Sequence, residues 1–181
     1  MTFDELQNLV ARRESETLEF KRTTSETTRG MHAGCGMLNG KGGRVLFGVD
    51  DRGRIVGQPI GHDSLLGLAD EAKHLDPPVA PDIETVEVAP GKDVIIVTFE
   101  PGARRPYTYK GRAFKRVGES TVELPREQYN KLLLEQMHGT ERWESAPAPE
   151  WTVDDLDGDE VLKTLDEAIR RGRLSDPGRA I

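Results

Sequence analysis

Apolar positions recur along this chain in two periods, and the switches between them mark out the elements. Thr2 followed three residues later by Glu5 has the form of a capping box. Leu6, Leu9 and Val10 then fall on one helical face, so a first helix starts at Thr2 and frays by Arg13. Leu18 and Phe20 alternate with Thr17, Glu19 and Lys21, which predicts a half-buried strand with its acids on the polar side. A Ser/Thr-rich loop over residues 22–29 leads into a helix from about Glu26 to Leu38, although Gly30, Gly34 and Gly36 are poor helix formers. Their density points to close packing against a neighbouring element. Asn39, Gly42 and Gly43 end that helix and turn the chain into an apolar strand, Val45 to Val49. Asp51-Arg52-Gly53 reverses it into Arg54-Ile55-Val56, a hairpin return.

The second half continues in the same manner. Leu65, Leu66, Leu68, Ala69, Ala72 and Leu75 predict a helix that Asp76-Pro77-Pro78 stops. Ile83 to Val88 and Val94 to Phe99 form a second hairpin around Ala89–Asp93. Pro106 to Tyr109 and Arg112 to Val117 form a third around Lys110-Gly111. Pro125 opens a helix running to about His138, with Gly139 as its stop. Glu144 to Pro149 reads as a linker, and Asp159 to Arg171 as an amphipathic helix with Val161, Leu162, Leu165 and Ile169 on one face. The expected organisation is a domain over 1–140, a linker over 141–158, and a C-terminal helix and tail over 159–181 leading to domains beyond this chain. Interleaved helices and hairpins predict an α+β fold, a mixed, mostly antiparallel sheet with helices packed on it.

Composition narrows the setting. At 181 residues and 35% hydrophobic the chain can bury one ordinary core. It has no apolar run long enough to span a bilayer and no signal-like N-terminus, so a cytoplasmic protein with no membrane partner is expected. The single cysteine, Cys35, excludes an internal disulfide and a cysteine-based zinc site. Gly40-Lys41-Gly42-Gly43 lacks the spacing of a phosphate-binding P-loop, so no ATP site is expected. The net charge of −7 speaks against nucleic-acid binding by the whole surface. Residues 141–181 carry −5 of it, however, and Pro101 to Gly118 holds six bases and no acid. A local basic patch of this kind can bind phosphates on an acidic protein.

That patch consists of Arg104, Arg105, Lys110, Arg112, Lys115 and Arg116, interleaved with Tyr107, Tyr109 and Phe114. Arginines and lysines pair with phosphates, and exposed aromatic faces stack on unpaired bases. The competing reading is an edge hairpin whose aromatics face the core, and for Phe114 that reading is the stronger. Asp50 and Asp51 either present chemistry at a strand end or make a solvated turn. Lys21 shares the strand face of Glu19 and serves as a phosphate contact or as the partner that keeps Glu19 ionised.

Four blocks in order carry a family resemblance: Glu14-Ser15-Glu16-Thr17-Leu18-Glu19-Phe20-Lys21; Asn39 with Gly42-Gly43; Leu46-Phe47-Gly48-Val49-Asp50-Asp51 with Gly53 and Ile55-Val56-Gly57; and Lys115-Arg116-Val117-Gly118-Glu119-Ser120-Thr121. Over roughly residues 14–125 the chain resembles the Schlafen AlbA_2 domain. In eukaryotic relatives that domain cuts RNA. The resemblance therefore implies a metal-dependent endoribonuclease for structured RNA such as tRNA. Its catalytic and metal-binding acids would be Glu14, Glu19 and Asp51, with Mg²⁺ or Mn²⁺ as cofactor. It implies nucleic acid as partner, RNA favoured over DNA, contacted by Lys21 and the six bases of the patch. The eukaryotic proteins use two such lobes, so a matching groove here implies a homodimer. Bacterial relatives, often labelled transcriptional regulators, imply the alternative of a non-catalytic DNA-binding or regulatory module. From spacing alone, Glu14 and Glu19 have opposite parity in a regular strand and converge only if the chain bends between them.

Overall fold

The computed structural model describes residues 1–141 and 157–173. They fall into two units, Met1–Thr140 and Glu141–Ile181. The expected linker stretch Glu144–Pro149 and the tail from residue 174 lie outside the described residues.

The first unit is α+β, built on two four-stranded sheets. In the first, β1 (Leu18–Lys21), β2 (Gly43–Phe47), β5 (Lys92–Phe99) and β4 (Asp82–Ala89) run in the order β1-β2-β5-β4. β1 pairs in parallel with β2, and the other neighbours are antiparallel. The second sheet is antiparallel, with β3 (Leu75–Asp76), β6 (Thr108–Tyr109), β7 (Arg112–Val117) and β8 (Ser120–Glu123) in chain order. The mixed character expected of one sheet thus belongs to the first of two. The return strand after Asp51 contributes only an isolated bridge, Val49 to Ile55, because β2 already has β1 and β5 as neighbours.

Two apolar clusters sandwich the first sheet. Leu18, Phe20, Leu46, Val86, Val94 and Ile96 pack with Leu6 and Val10 of α1 (Phe3–Val10), whose capping box forms as read from the sequence. Val45, Phe47, Ile95, Val97 and Phe99 face α2 (Thr27–Leu38), and Tyr107, Tyr109 and Phe114 of the second sheet share that cluster. α2 is therefore covered from both sides. A Cβ on Gly34 would lie 2.4 Å from the Phe99 ring, and one on Gly36 would lie 3.1 Å from the Lys115 backbone. The glycines that weaken α2 as an isolated helix are what let it approach both sheets.

α3 (His62–Ala72) ends earlier than the apolar pattern implied, because Leu75 enters β3 opposite Tyr109. α4 (Arg126–Glu141) runs through Gly139. In the second unit α5 (Gly158–Arg170) is capped by the Asp157 carboxylate, and Val161, Leu162 and Leu165 are exposed. Among the described residues no helix is long and apolar enough to cross a membrane.

Gly34→Ala will cost on the order of 2 kcal/mol in urea unfolding, because overpacking at Phe99 outweighs the gain of about 1 kcal/mol in helix propensity. Gly67→Ala, in α3 with open space around it, will be neutral or stabilising in the same measurement. Equal effects at the two sites would contradict the packing assigned to α2.

Candidate functional site

The chain bends between Ser15 and Leu18, which form an isolated bridge, and the bend brings Glu14 back onto β1. Glu14 Oε1 accepts from the Phe20 amide at 2.8 Å. β1 is an edge strand, and Phe20 has no strand partner on its outer side. The carboxylate takes the place of a strand neighbour there. The same outer edge is closed by Lys21 Nζ, which donates to the Phe20 carbonyl at 2.7 Å, and by Arg116 Nη2, which donates to the Ser15 carbonyl at 2.6 Å. Charged groups on an edge keep it from pairing with another chain.

The strand is not half-buried as its alternation predicted. All four of its residues are buried, and Glu19 and Lys21 are only 8% and 9% exposed. The reason lies 97 residues away: Arg116 of β7 reaches across from the second sheet. Its Nη1 donates to Glu19 Oε2 at 2.5 Å and to Thr121 Oγ1 at 2.7 Å. Lys21 Nζ lies 2.5 Å from the other Glu19 oxygen. Both oxygens of a buried carboxylate are thus held by buried cations, the condition under which such a group is tolerated. Arg116 Nε is buried without a partner among the described residues.

Glu14 stands beside this group, half-buried. Burial is the main cause raising its carboxyl above the ordinary 4.5; the Phe20 amide opposes it, the Glu19 charge adds to it, and Lys21 and Arg116 oppose it. The structure therefore joins Glu14, Glu19, Lys21 and Arg116.

Asp51 lies elsewhere in the turn. Its neighbour Asp50 makes the turn: Oδ1 accepts from the Arg52 and Arg54 amides, and Oδ2 pairs with the Arg54 guanidinium at 2.7 Å. The Arg54 backbone amide, then its side chain, hold the Asp50 carboxyl below its usual range. Asp51 is exposed at the tip. The turn is anchored near Glu14 through Arg13, whose Nη1 donates to the Arg52 carbonyl at 2.5 Å.

A divalent ion needs several carboxylate or carbonyl oxygens with open positions. Among the described residues no group of three or more His, Cys, Asp and Glu side chains is placed to hold one. A divalent ion on Glu19 would also meet two buried cations. Unit charges 4 Å apart interact by about 4 kcal/mol at an effective dielectric of 20, and a divalent ion doubles that repulsion. As arranged, Glu14, Glu19 and Asp51 do not fit a metal.

The basic patch divides in two. Arg116 is buried, Lys115 bonds Gln128, Lys110 pairs with Glu71, and Arg112 pairs with Glu123. The Lys110 and Arg112 pairs join exposed cations to carboxylates, a kind of contact worth about 0–1 kcal/mol and readily exchanged. Arg104 and Arg105 are exposed, with no side-chain partner among the described residues. Asn39 fixes the segment that follows them: its Nδ2 donates to the Tyr107 and Phe114 carbonyls at 2.8 and 2.9 Å, and its Oδ1 accepts from the Tyr107 amide at 2.6 Å. Tyr107, Tyr109 and Phe114 are all buried, so the stacking faces read from the interleaved pattern belong to the core. Phe114 stacks on His32 at 4.2 Å between ring centres. Sequence reasoning missed Arg22 and Arg29, also exposed and unpaired among the described residues. Their basic character was visible, but they stand apart in a Ser/Thr-rich stretch, Arg22 just after β1 and Arg29 in the first turn of α2, rather than in a run.

A family model described as Schlafen, AlbA_2 matches residues 14–125. The chain belongs to this family. Every residue of the Glu14 cluster and of the basic patch falls inside the matched AlbA_2 span. Among curated proteins, none matches the chain. Two solved structures are similar. The DIP2311 protein from Corynebacterium diphtheriae aligns with TM-score 0.50 and 20% identity over 67% of this chain and 27% of the other. The N-terminal domain of a DNA helicase RecG-related protein from Nitrosomonas europaea aligns with TM-score 0.50 and 27% identity, over 66% of this chain and 91% of that one. The chain thus spans about a quarter of the first neighbour and nearly all of the second. The family is consistent with nucleic-acid binding by an AlbA_2 domain.

Arg116→Ala will lower stability by roughly 3–5 kcal/mol in urea unfolding, the usual cost of stripping one partner from a buried pair. Lys115→Ala will cost less than about 1 kcal/mol, as for other surface changes. Similar losses at the two positions would contradict the assigned burial.

The raised carboxyl of Glu14 gives a pH signature. In the window just above 4.5 the folded chain binds more protons than the unfolded chain, so its stability falls as pH rises through that window. Glu14→Gln will remove that component from a stability–pH profile between pH 4 and 7. An unchanged profile would count against the burial assigned to this carboxyl.

Proposed function

We propose that this domain binds nucleic acid through phosphate contacts, centred on Arg104 and Arg105, with Lys110 and Arg112 exchanging weak carboxylate partners for phosphates. The observation that carries the reading is the pair of exposed arginines, without side-chain partners among the described residues, next to a segment fixed by Asn39. Guanidinium groups suit phosphates because they are planar, permanently charged and bidentate. With the aromatic set buried, the patch lacks stacking platforms for single-stranded bases, so binding follows charge and backbone shape rather than sequence. A preference for RNA over DNA rests on the family resemblance, and the N. europaea neighbour's DNA-helicase name supports DNA. A two-lobed groove asks for a homodimer; the arginine surface works without one. This is the non-catalytic module considered from the sequence.

RNA cutting by Glu14, Glu19 and Asp51 is the finer reading. One observation favours it: the Arg13 bond anchors the Asp51 turn beside the segment carrying Glu14. It asks Lys21 to leave Glu19, and Asp51 to turn inward from an exposed position.

Fluorescence anisotropy with 20-base-pair RNA and DNA duplexes in EDTA tests the binding reading. Affinity will fall steeply with salt, and Arg104→Ala/Arg105→Ala will weaken it about ten-fold near 0.1 M salt and reduce the log–log salt slope by about two. A double variant with unchanged affinity and slope overturns the assignment of this surface. Incubation of tRNA with wild type and Asp51→Ala, in Mg²⁺, Mn²⁺ and EDTA, separates the cutting reading. Intact RNA throughout leaves binding alone; metal-dependent products from wild type and none from Asp51→Ala establish cutting.

A further inference from the structure

We infer that Lys21 is the resident cation of the Glu14–Glu19 group, its ammonium occupying the place that a divalent metal would otherwise take. The inference does not rest on nucleic-acid binding. Lys21 Nζ lies 2.5 Å from Glu19 Oε1 and 2.7 Å from the Phe20 carbonyl, so one carboxylate and one backbone oxygen converge on a single buried nitrogen. These are hard oxygen donors of the type that Mg²⁺ and Mn²⁺ take. Lys21 also acts electrostatically on Glu14, the second acid of the group. Charge is balanced without a metal: Glu14 and Glu19 face Lys21 and Arg116. The second Glu19 oxygen is already held by Arg116.

The geometry excludes simultaneous occupancy. An ion bound to Glu19 Oε1 and the Phe20 carbonyl would have to sit where Nζ sits. Lys21 is 9% exposed, so the ammonium cannot swing into solvent without opening the edge of β1. Removing the ammonium while keeping the side chain's bulk has a definite consequence. Arg116 then faces both carboxylates alone, so Glu14, Glu19 and the Phe20 carbonyl form an oxygen group with one negative charge in excess, and the site gains affinity for a small divalent cation. Lys21→Met makes that change, because methionine fills most of the volume and carries no charge.

The test uses Mn²⁺ alone on the full chain. In ¹⁵N-labelled wild type, amides of residues 14–21 will show no site-specific paramagnetic broadening at Mn²⁺ concentrations that saturate ordinary carboxylate sites. Lys21→Met will show broadening centred on Glu14 and Glu19, with at least ten-fold tighter Mn²⁺ binding by calorimetry, lost again in Lys21→Met/Glu19→Gln. Broadening centred on Glu14 and Glu19 in wild type overturns the inference, and that result needs no variant to fold. A folded Lys21→Met with no gain in affinity overturns it as well. If circular dichroism shows that Lys21→Met does not fold, Lys21→Gln replaces it, and the wild-type spectrum remains decisive.

Discussion

The close approach of α2 to both sheets is the constraint on which the rest of the first unit depends. A helix carrying side chains at Gly30, Gly34 and Gly36 would stand off from Phe47, Phe99 and the β7 backbone. Helix pairs and helix–sheet contacts settle at distances set by the side chains between them, and glycine shortens those distances. With α2 drawn in, the second sheet lies near enough to β1 for one arginine to bridge them. A wider spacing would leave Arg116 short of Glu19 and would leave the outer edge of β1 open.

That bridge explains why the most chemically suggestive residues form a group at all. An edge strand with exposed amides invites pairing with other chains. Here the Glu14 carboxylate, the Lys21 ammonium and the Arg116 guanidinium occupy those backbone groups, while Glu19 pairs with both cations through its two oxygens. Acids and bases packed this way look catalytic in a sequence because burial and mutual charge are also what active sites use. The same groups are explained here by the closure of an edge. The exposed arginines have no such structural work, and this is the physical ground for assigning ligand binding to them rather than to the buried charges.

Much of the fold was legible in the sequence. The capping box at Thr2, the β4–β5 hairpin around Ala89–Asp93 and the amphipathic run of α5 follow from local rules and stand as read. The family was also legible, from blocks whose order does not depend on knowing the packing. What local patterns could not supply was contact across long sequence separation. Alternation at Leu18 and Phe20 fixes which side chains share a face, but it does not say that Arg116 covers the other face. Residue type left Tyr107 and Tyr109 open to stacking beside the basic run, yet both join Phe114, expected in the core, in the cluster that α2 packs on. Asp50 and Asp51 differ by one position, and only the turn's hydrogen bonds show that Asp50 builds it while Asp51 stands exposed.

The central claim is that the ligand surface of this AlbA_2 domain is the arginine segment and that it works without a divalent metal. Chemical-shift mapping with a short RNA duplex in EDTA tests it most directly. The account predicts that amides from about residue 103 to 113 move on titration, while those of Glu14 and Glu19 stay in place. A spectrum unchanged in EDTA that responds only after Mg²⁺ is added, with the largest shifts at Glu14, Glu19 and Asp51, would contradict it.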